Sequence, residues 1–100
     1  MTAMDGDRLY IVVYDITDQK RWRRVYKTVK GFGQWVQLSV FQCILSTKQL
    51  LRLEQALEEC IKHGEDHVLI AELGPSDKVD VKFKSLGKKF EPVERKATII

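Results

Sequence analysis

A chain of 100 residues is long enough for one domain with a thin hydrophobic core and too short for two. Hydrophobic residues make up 44% and charged residues 31% of the sequence, which is typical of a globular protein and excludes a disordered chain. The net charge is +3. The longest apolar run, residues 9–14, is too short to cross a membrane, and no secretory signal is visible. Because Cys43 and Cys60 also form no CxxC pair, we expect a reduced, cytoplasmic protein.

The first predicted elements are a strand and a helix. The apolar, β-branched and aromatic run over residues 9–14 predicts the strand. Over residues 18–30, apolar side chains recur at i, i+3, i+4 and i+7, which predicts an amphipathic helix with Asp18 in its N-terminal cap region. Gly31 stands where a C′ glycine commonly follows a helix, so we expect the helix to end there.

The predicted first helix carries an unusual concentration of positive charge. Residues 19–30 contain six basic residues and no acidic one, whereas residues 31–77 are acidic on balance and residues 78–96 are again rich in lysine. This pattern indicates a polyanionic partner. The alternative is a helix whose acidic partners lie elsewhere in the fold. The candidate nucleic-acid-binding residues are Lys20, Arg21, Arg23, Arg24, Lys27 and Lys30.

The second half of the chain predicts a hairpin, a helix and a strand. Residues 35–45 are strand-like and long enough to form two strands that turn near Ser39. Residues 46–49 resemble a capping box that opens a second helix, which we expect to end at Gly64. Residues 68–73 predict the fourth strand.

The resulting order, βαββαβ, predicts an α+β fold of the ferredoxin-like type, with two helices on one face of a four-stranded sheet. We expect one domain over residues 1–100, with its core at about residues 8–74. Residues 75–100 would add a basic segment and an edge strand near residues 97–100, which could pair with the sheet of a partner subunit.

Strand one lacks the alternation of apolar and polar residues expected of a sheet with one face in water. Both of its faces are apolar, and so are both faces of the fourth strand. We therefore predict a homodimer with two-fold symmetry that packs the open sheet faces together. The alternative is that the C-terminal segment folds back over its own sheet.

Asp15 is the main candidate for chemistry because it stands at the C-terminal end of the central strand. In a two-fold dimer Asp15 can meet its own copy near the axis, and two carboxylates are ligands suited to Mg²⁺. Such an ion could activate water and stabilise charge on a phosphodiester. The alternative is that Asp15 and Asp18 only cap the turn and the first helix.

Two other patterns carry less weight. Residues 30–33 match the start of an RNA-recognition-motif signature, but they follow the first helix instead of lying on the third strand, so a helix end explains their glycines better. His63 and His67 have a zinc-like spacing, but Gly64 separates them, and we interpret them as surface or strand-edge residues.

Four segments, in this order, resemble the CRISPR-associated protein 2 family. They are YDITD over residues 14–18, RWRRVYK over residues 21–27, GFG over residues 31–33 and VQLSVFQ over residues 36–42. Each segment alone is weak, and the combination is specific. The resemblance covers residues 9–74 well and the C-terminal quarter loosely.

The resemblance implies a ferredoxin-like homodimer whose C-terminal strands can be exchanged between subunits. It implies a subunit of CRISPR adaptation (spacer acquisition) that holds the duplex DNA of the new spacer and bridges dimers of the integrase subunit. It also implies a metal-dependent endonuclease on RNA, including single-stranded RNA, or on DNA. Asp15 of each subunit would then be the catalytic residue, with Mg²⁺ or another divalent cation bound between the two copies. The near-site positions of the family fall on Tyr14, Ser39 and Phe41.

Two other functions remain open. One is a free-standing, toxin-like ribonuclease of the same fold, and the other is a non-catalytic nucleic-acid-binding module. An adjacent integrase gene with a repeat array favours the adaptation subunit, whereas an adjacent antitoxin gene favours the toxin. A regulatory small-ligand domain is disfavoured by the basic helix and by the lack of a glycine-lined ligand loop.

Overall fold

The computed structural model describes residues 6–88, which form a four-stranded antiparallel sheet and two helices. The sheet has the strand order β2-β3-β1-β4, so the first strand is central and the fourth is at an edge. This arrangement confirms the ferredoxin-like α+β fold. The elements are β1 (Arg8–Asp15), α1 (Gln19–Lys30), β2 (Gln34–Gln37), β3 (Val40–Leu45), α2 (Thr47–Cys60) and β4 (His67–Pro75).

Helix α1 begins and ends where the sequence predicts. The Oδ2 atom of Asp18 accepts a hydrogen bond from the backbone N–H of Arg21 at 2.9 Å, which makes Asp18 the N-cap. At the other end, the helix ends at Gly31 as predicted, and Gly31 is the C-cap with φ −70°, in the right-handed region. The glycine that the chain does require is Gly33, because a Cβ there would collide with the Cys43 sulfur and lie 2.5 Å from the Gln42 carbonyl oxygen.

Helix α2 begins with the predicted capping box and ends before the predicted position. Ser46 Oγ accepts from the Gln49 N–H at 3.2 Å, and Gln49 Oε1 accepts from the Ser46 N–H at 2.9 Å. The helix ends at Cys60, not at Gly64. The physical reason is Asp66, whose carboxylate accepts the Lys62 backbone N–H at 2.8 Å and thereby holds residues 62–66 in a separate turn.

The hydrophobic core lies between the helices and one face of the sheet. On that face, Tyr10, Val12 and Tyr14 of β1 are almost completely buried, and they alternate with residues that face the other side. The other buried residues of this core are Ile16, Val25, Tyr26, Val29, Phe41, Cys43, Leu45, Leu53 and Leu57. Burial also raises the pKa of the Cys43 thiol to about 11, consistent with a small hydrophobic role.

The opposite, helix-free face of the sheet is also apolar and largely uncovered. Ile11 and Val13 point to it from β1, and their neighbours include Ile44 of β3 and Leu69 of β4, which are 53% and 54% exposed. Within residues 6–88, one end of this face is covered: Leu9 is buried, and Val79 lies against Gly74, the register partner of Leu9. The described part of the segment after β4 therefore contacts one end of the face.

The edge strand expected near residues 97–100 lies outside the described residues. Within residues 6–88, no helix is long and apolar enough to cross a membrane. In the same range, Cys43 and Cys60 are free thiols.

Candidate functional site

Asp15 is the last residue of β1, and its side chain is exposed at the rim of the helix-free face. The preceding residue, Tyr14, is buried on the helix side, so the alternation of the strand turns Asp15 toward the open side. Across the ladder, Asp15 pairs with His67, the first residue of β4. Within residues 6–88, no hydrogen bond or ion pair occupies the Asp15 carboxylate, which leaves its oxygens available for a ligand.

Asp18, in contrast, has a structural role as the N-cap of α1. Its carboxylate caps α1 through the Arg21 N–H. The alternative in which both aspartates serve as caps therefore applies to Asp18 and not to Asp15, whose carboxylate caps nothing in the described chain.

The donor set at Asp15 fits a divalent cation only in part. A free carboxylate is a ligand that Mg²⁺ accepts, and Mg²⁺ typically binds to one or two carboxylates, several waters and substrate phosphates. Within residues 6–88, no group of three or more His, Cys, Asp or Glu side chains could hold a metal. If a divalent cation binds here, the described residues of one chain supply only part of its ligands, and the others would come from another chain, from water or from the substrate.

The three near-site residues lie on the other side of β1. Tyr14 and Phe41 are buried in the core, where their rings are 6.2 Å apart. Ser39 Oγ accepts the indole N–H of Trp22 at 2.9 Å, and the Ser39 carbonyl accepts the Tyr14 N–H at 3.1 Å. These residues pack or form hydrogen bonds on the helix side of the sheet at the end of β1. The structure does not bring their side chains to the open face beside Asp15.

The guanidinium of Arg21 is engaged in ion pairs with the turn before β4. Nε and Nη2 donate to the two carboxylate oxygens of Asp66 at 2.7 and 3.2 Å, and Nη2 also contacts Glu65 Oε1 at 3.1 Å. The Asp66 side chain is fully shielded from solvent. The hydrogen bond from Arg21 lowers the pKa of Asp66, and the same bond raises the pKa of Arg21. Arg21 therefore ties α1 to the turn before β4.

The other basic residues of α1 form an exposed stripe that we call the basic stripe. Its members are Lys20, Arg23, Arg24, Lys27 and Lys30. They recur at helical spacing on the side opposite the buried Val25, Tyr26 and Val29. Within residues 6–88, no acidic side chain pairs with Lys20, Arg23, Arg24 or Lys27. The alternative of acidic partners elsewhere in the fold thus applies to Arg21 and not to these four residues.

Sequence reasoning missed Asp66 and undervalued His67. The signal was present, because in a βαββαβ sandwich the start of the fourth strand lies beside the end of the first. His63 is a separate case: its Nε2 pairs with Glu58 at 2.8 Å, and it shares no metal group with His67. Residues 30–33 end α1 and turn the chain into β2, which agrees with their interpretation as a helix end.

Comparisons with known proteins identify the family of this chain. The family described as CRISPR associated protein Cas2 matches residues 8–81. The CRISPR-associated endoribonuclease Cas2 of Geobacter sulfurreducens is 52% identical over 94 residues, which are 94% of this chain and 99% of that protein. A Cas2 endoribonuclease of Rhodospirillum rubrum is 52% identical over 96 residues, or 96% of this chain and 94% of the relative.

A solved structure supports the same assignment. The crystal structure of a Cas2 protein superimposes with a TM-score of 0.72 at 36% sequence identity, and the match covers 88% of this chain and 95% of the other. The segments that carry the resemblance, the observed fold and these similarities together assign the chain to the CRISPR-associated Cas2 family.

Proposed function

We propose that this protein is a metal-dependent endonuclease that works as a homodimer, with Asp15 of each subunit at the centre of the site. The observation that carries the proposal is the free carboxylate of Asp15 at the rim of an uncovered apolar sheet face. The names of the relatives, which describe endoribonucleases, support phosphodiester hydrolysis as the reaction.

The dimer follows from the helix-free face. Side chains such as Ile44 and Leu69 are about half exposed there, and a contiguous apolar surface of this kind is rare on a monomer. A second copy placed face to face would bury these side chains and bring the two Asp15 carboxylates toward one another. Without a cation, two carboxylates in that position would repel each other.

The donor chemistry at Asp15 fits Mg²⁺ or a similar divalent ion. When bound, the ion would make a water molecule nucleophilic at neutral pH and stabilise negative charge on the phosphodiester. The chain's own part is to orient the carboxylate: the β1 ladder to β3 and β4 fixes its backbone, and Asp18 fixes the start of α1 directly after it.

The partner is a nucleic acid held through its phosphates. Within residues 6–88, four residues of the basic stripe have no acidic partner, namely Lys20, Arg23, Arg24 and Lys27. Contacts of such charges with phosphates position a duplex without reading its sequence. In the adaptation role, the dimer would hold the duplex DNA of a new spacer between integrase subunits. The free thiols of Cys43 and Cys60 are compatible with a reducing, cytoplasmic location. A free-standing, toxin-like ribonuclease is the second candidate. The relatives' names, which describe CRISPR-associated endoribonucleases, favour RNA as a substrate but not a free-standing enzyme.

Cleavage assays with matched aspartate variants test the proposal. Single-stranded RNA and duplex DNA are incubated with Mg²⁺ or with EDTA, using wild type, Asp15→Asn and Asp18→Asn. Asn caps a helix about as well as Asp, so Asp18→Asn should fold and cut normally. Asp15→Asn should lose roughly 100-fold or more of the rate, because one substitution removes both carboxylates of the dimer. Equal rates for wild type and a folded Asp15→Asn dimer would contradict the catalytic role of Asp15 and leave nucleic-acid binding as the proposed function.

A further inference from the structure

We propose that His67 is a second protein ligand of the metal at Asp15, so that a dimer offers two carboxylates and two imidazoles. This inference rests on the proposed metal site and goes beyond it by assigning a further residue and an ion preference. The carrying observation is the pairing of Asp15 with His67 at adjacent ends of β1 and β4.

The sheet places both side chains on one side. Directly opposite residues of an antiparallel pair have Cβ atoms about 4.5–5.5 Å apart, which lets two side chains share one ion. In the next pair along the ladder, Tyr14 belongs to the core on the helix side and Val68 packs against that core. Asp15 and His67 therefore point to the helix-free side, and both are exposed.

Arg21 restrains the position of His67 relative to Asp15. The backbone N–H of Arg21 donates to the carboxylate of Asp18, three residues after Asp15. The guanidinium of Arg21 pairs with the carboxylate of Asp66, the residue before His67. Asp66 is held a second time by the Lys62 N–H at 2.8 Å. Arg21 therefore links the loop after Asp15 to the turn before His67, with its backbone N–H on one side and its guanidinium on the other, which restrains the two donors relative to each other.

Imidazole changes the ion that this site prefers. A site of carboxylates and water suits Mg²⁺, whereas imidazole nitrogen suits first-row transition metals. Adding His67 to Asp15 should therefore raise the affinity for Co²⁺ above that for Mg²⁺. His63 provides a matched control, because it is also exposed but is paired with Glu58 on the preceding turn.

The test is isothermal titration calorimetry of Co²⁺ and, separately, Mg²⁺ into the full-length protein, as wild type, His67→Asn, His63→Asn and Asp15→Asn. We expect His67→Asn to weaken Co²⁺ about tenfold or more and Mg²⁺ less than about twofold. Asp15→Asn should weaken both ions, and His63→Asn should weaken neither. Circular dichroism and sedimentation confirm that each variant is folded and has the assembly state of wild type.

The outcomes separate this inference from the proposed function. If Asp15→Asn weakens both ions and His67→Asn binds Co²⁺ like wild type, the ligand role of His67 is wrong and the metal site at Asp15 stands. If Asp15→Asn leaves both affinities unchanged, the proposed metal site is wrong and this inference falls with it. If His67→Asn and His63→Asn weaken Co²⁺ equally, the ion binds exposed histidines at random, which also overturns the inference.

Discussion

The hydroxyl of Tyr14 is a polar group without a partner in the interior of the described chain. Its ring packs between Trp22 and Phe41, with centroid distances of 6.0 and 6.2 Å. Burial raises the pKa of this phenol, so it stays neutral at physiological pH. A buried hydroxyl with no hydrogen bond destabilises the folded state, because it loses the hydrogen bonds that water gives it when the chain is unfolded.

We therefore expect Tyr14→Phe to raise the free energy of unfolding by about 1 kcal/mol. Urea denaturation of wild type and variant measures the change. Tyr10→Phe is the control, since Tyr10 is equally buried as a residue but its hydroxyl is not among the unsatisfied atoms. A lower stability for Tyr14→Phe would mean that the hydroxyl has a hydrogen-bond partner in the working protein.

At the scale of elements, α1 combines two different kinds of basic residue. Arg21 anchors the helix to the turn before β4, and the basic stripe faces solvent. Because Arg21 and the stripe lie on one helix, the charge pattern alone treats all six residues alike. The structure separates Arg21 from Lys20, Arg23, Arg24 and Lys27, because within residues 6–88 Asp66 pairs with Arg21 and with none of these four side chains.

The Arg21–Asp66 pair should make stability dependent on pH in acid. The pKa of Asp66 is lowered from 3.8 in the folded state, so its stabilising effect is complete above that value and is lost as pH falls through the lower, folded pKa. We expect Asp66→Asn to be less stable than wild type at pH 7, and the difference to shrink below about pH 4. Urea denaturation between pH 7 and 3 measures this difference, and a gap that stays constant down to pH 3 contradicts the prediction.

The basic stripe should determine the salt dependence of nucleic-acid binding. Each phosphate contact to duplex DNA contributes about 0.9 to the slope of log affinity against log salt. Arg24→Gln with Lys27→Gln should reduce the slope by roughly 1–2 and weaken binding to all sequences similarly. Lys48→Gln with Arg52→Gln removes the same charge from exposed positions of α2 and should leave the slope unchanged. Fluorescence anisotropy over a salt series measures both, and equal slopes for the two double variants would assign the contacts elsewhere.

At the scale of the whole molecule, we expect the helix-free face to form the interface of the proposed dimer. Leu69 on this face and Leu51 on α2 are each 54% exposed, so they offer matched sites for a charge. We expect Leu69→Lys to shift the sedimenting species from dimer to monomer, because a charge buried in the interface has no partner there. Leu51→Lys should remain dimeric. A dimer that survives Leu69→Lys would place the contact on another surface.

Much of the fold was predictable from local patterns. The caps at Asp18 and Ser46 are formed by residues close in sequence, and the alternating and helical periods of β1 and α1 are properties of consecutive residues. The end of α2 was not predictable in this way, because Asp66, which accepts the Lys62 N–H, is itself held by Arg21, 45 residues away in the sequence.

The sequence by itself determined the order of elements, the aspartate at the end of the central strand and the excess of positive charge on the first helix. Only the tertiary structure decided that Arg21 belongs to the fold, that Tyr14 and Phe41 face away from Asp15, and that His67 lies opposite it. The reason is physical: periodicity specifies which face a residue takes within its own element, whereas contacts between distant segments depend on strand register and helix packing, which the whole chain sets together.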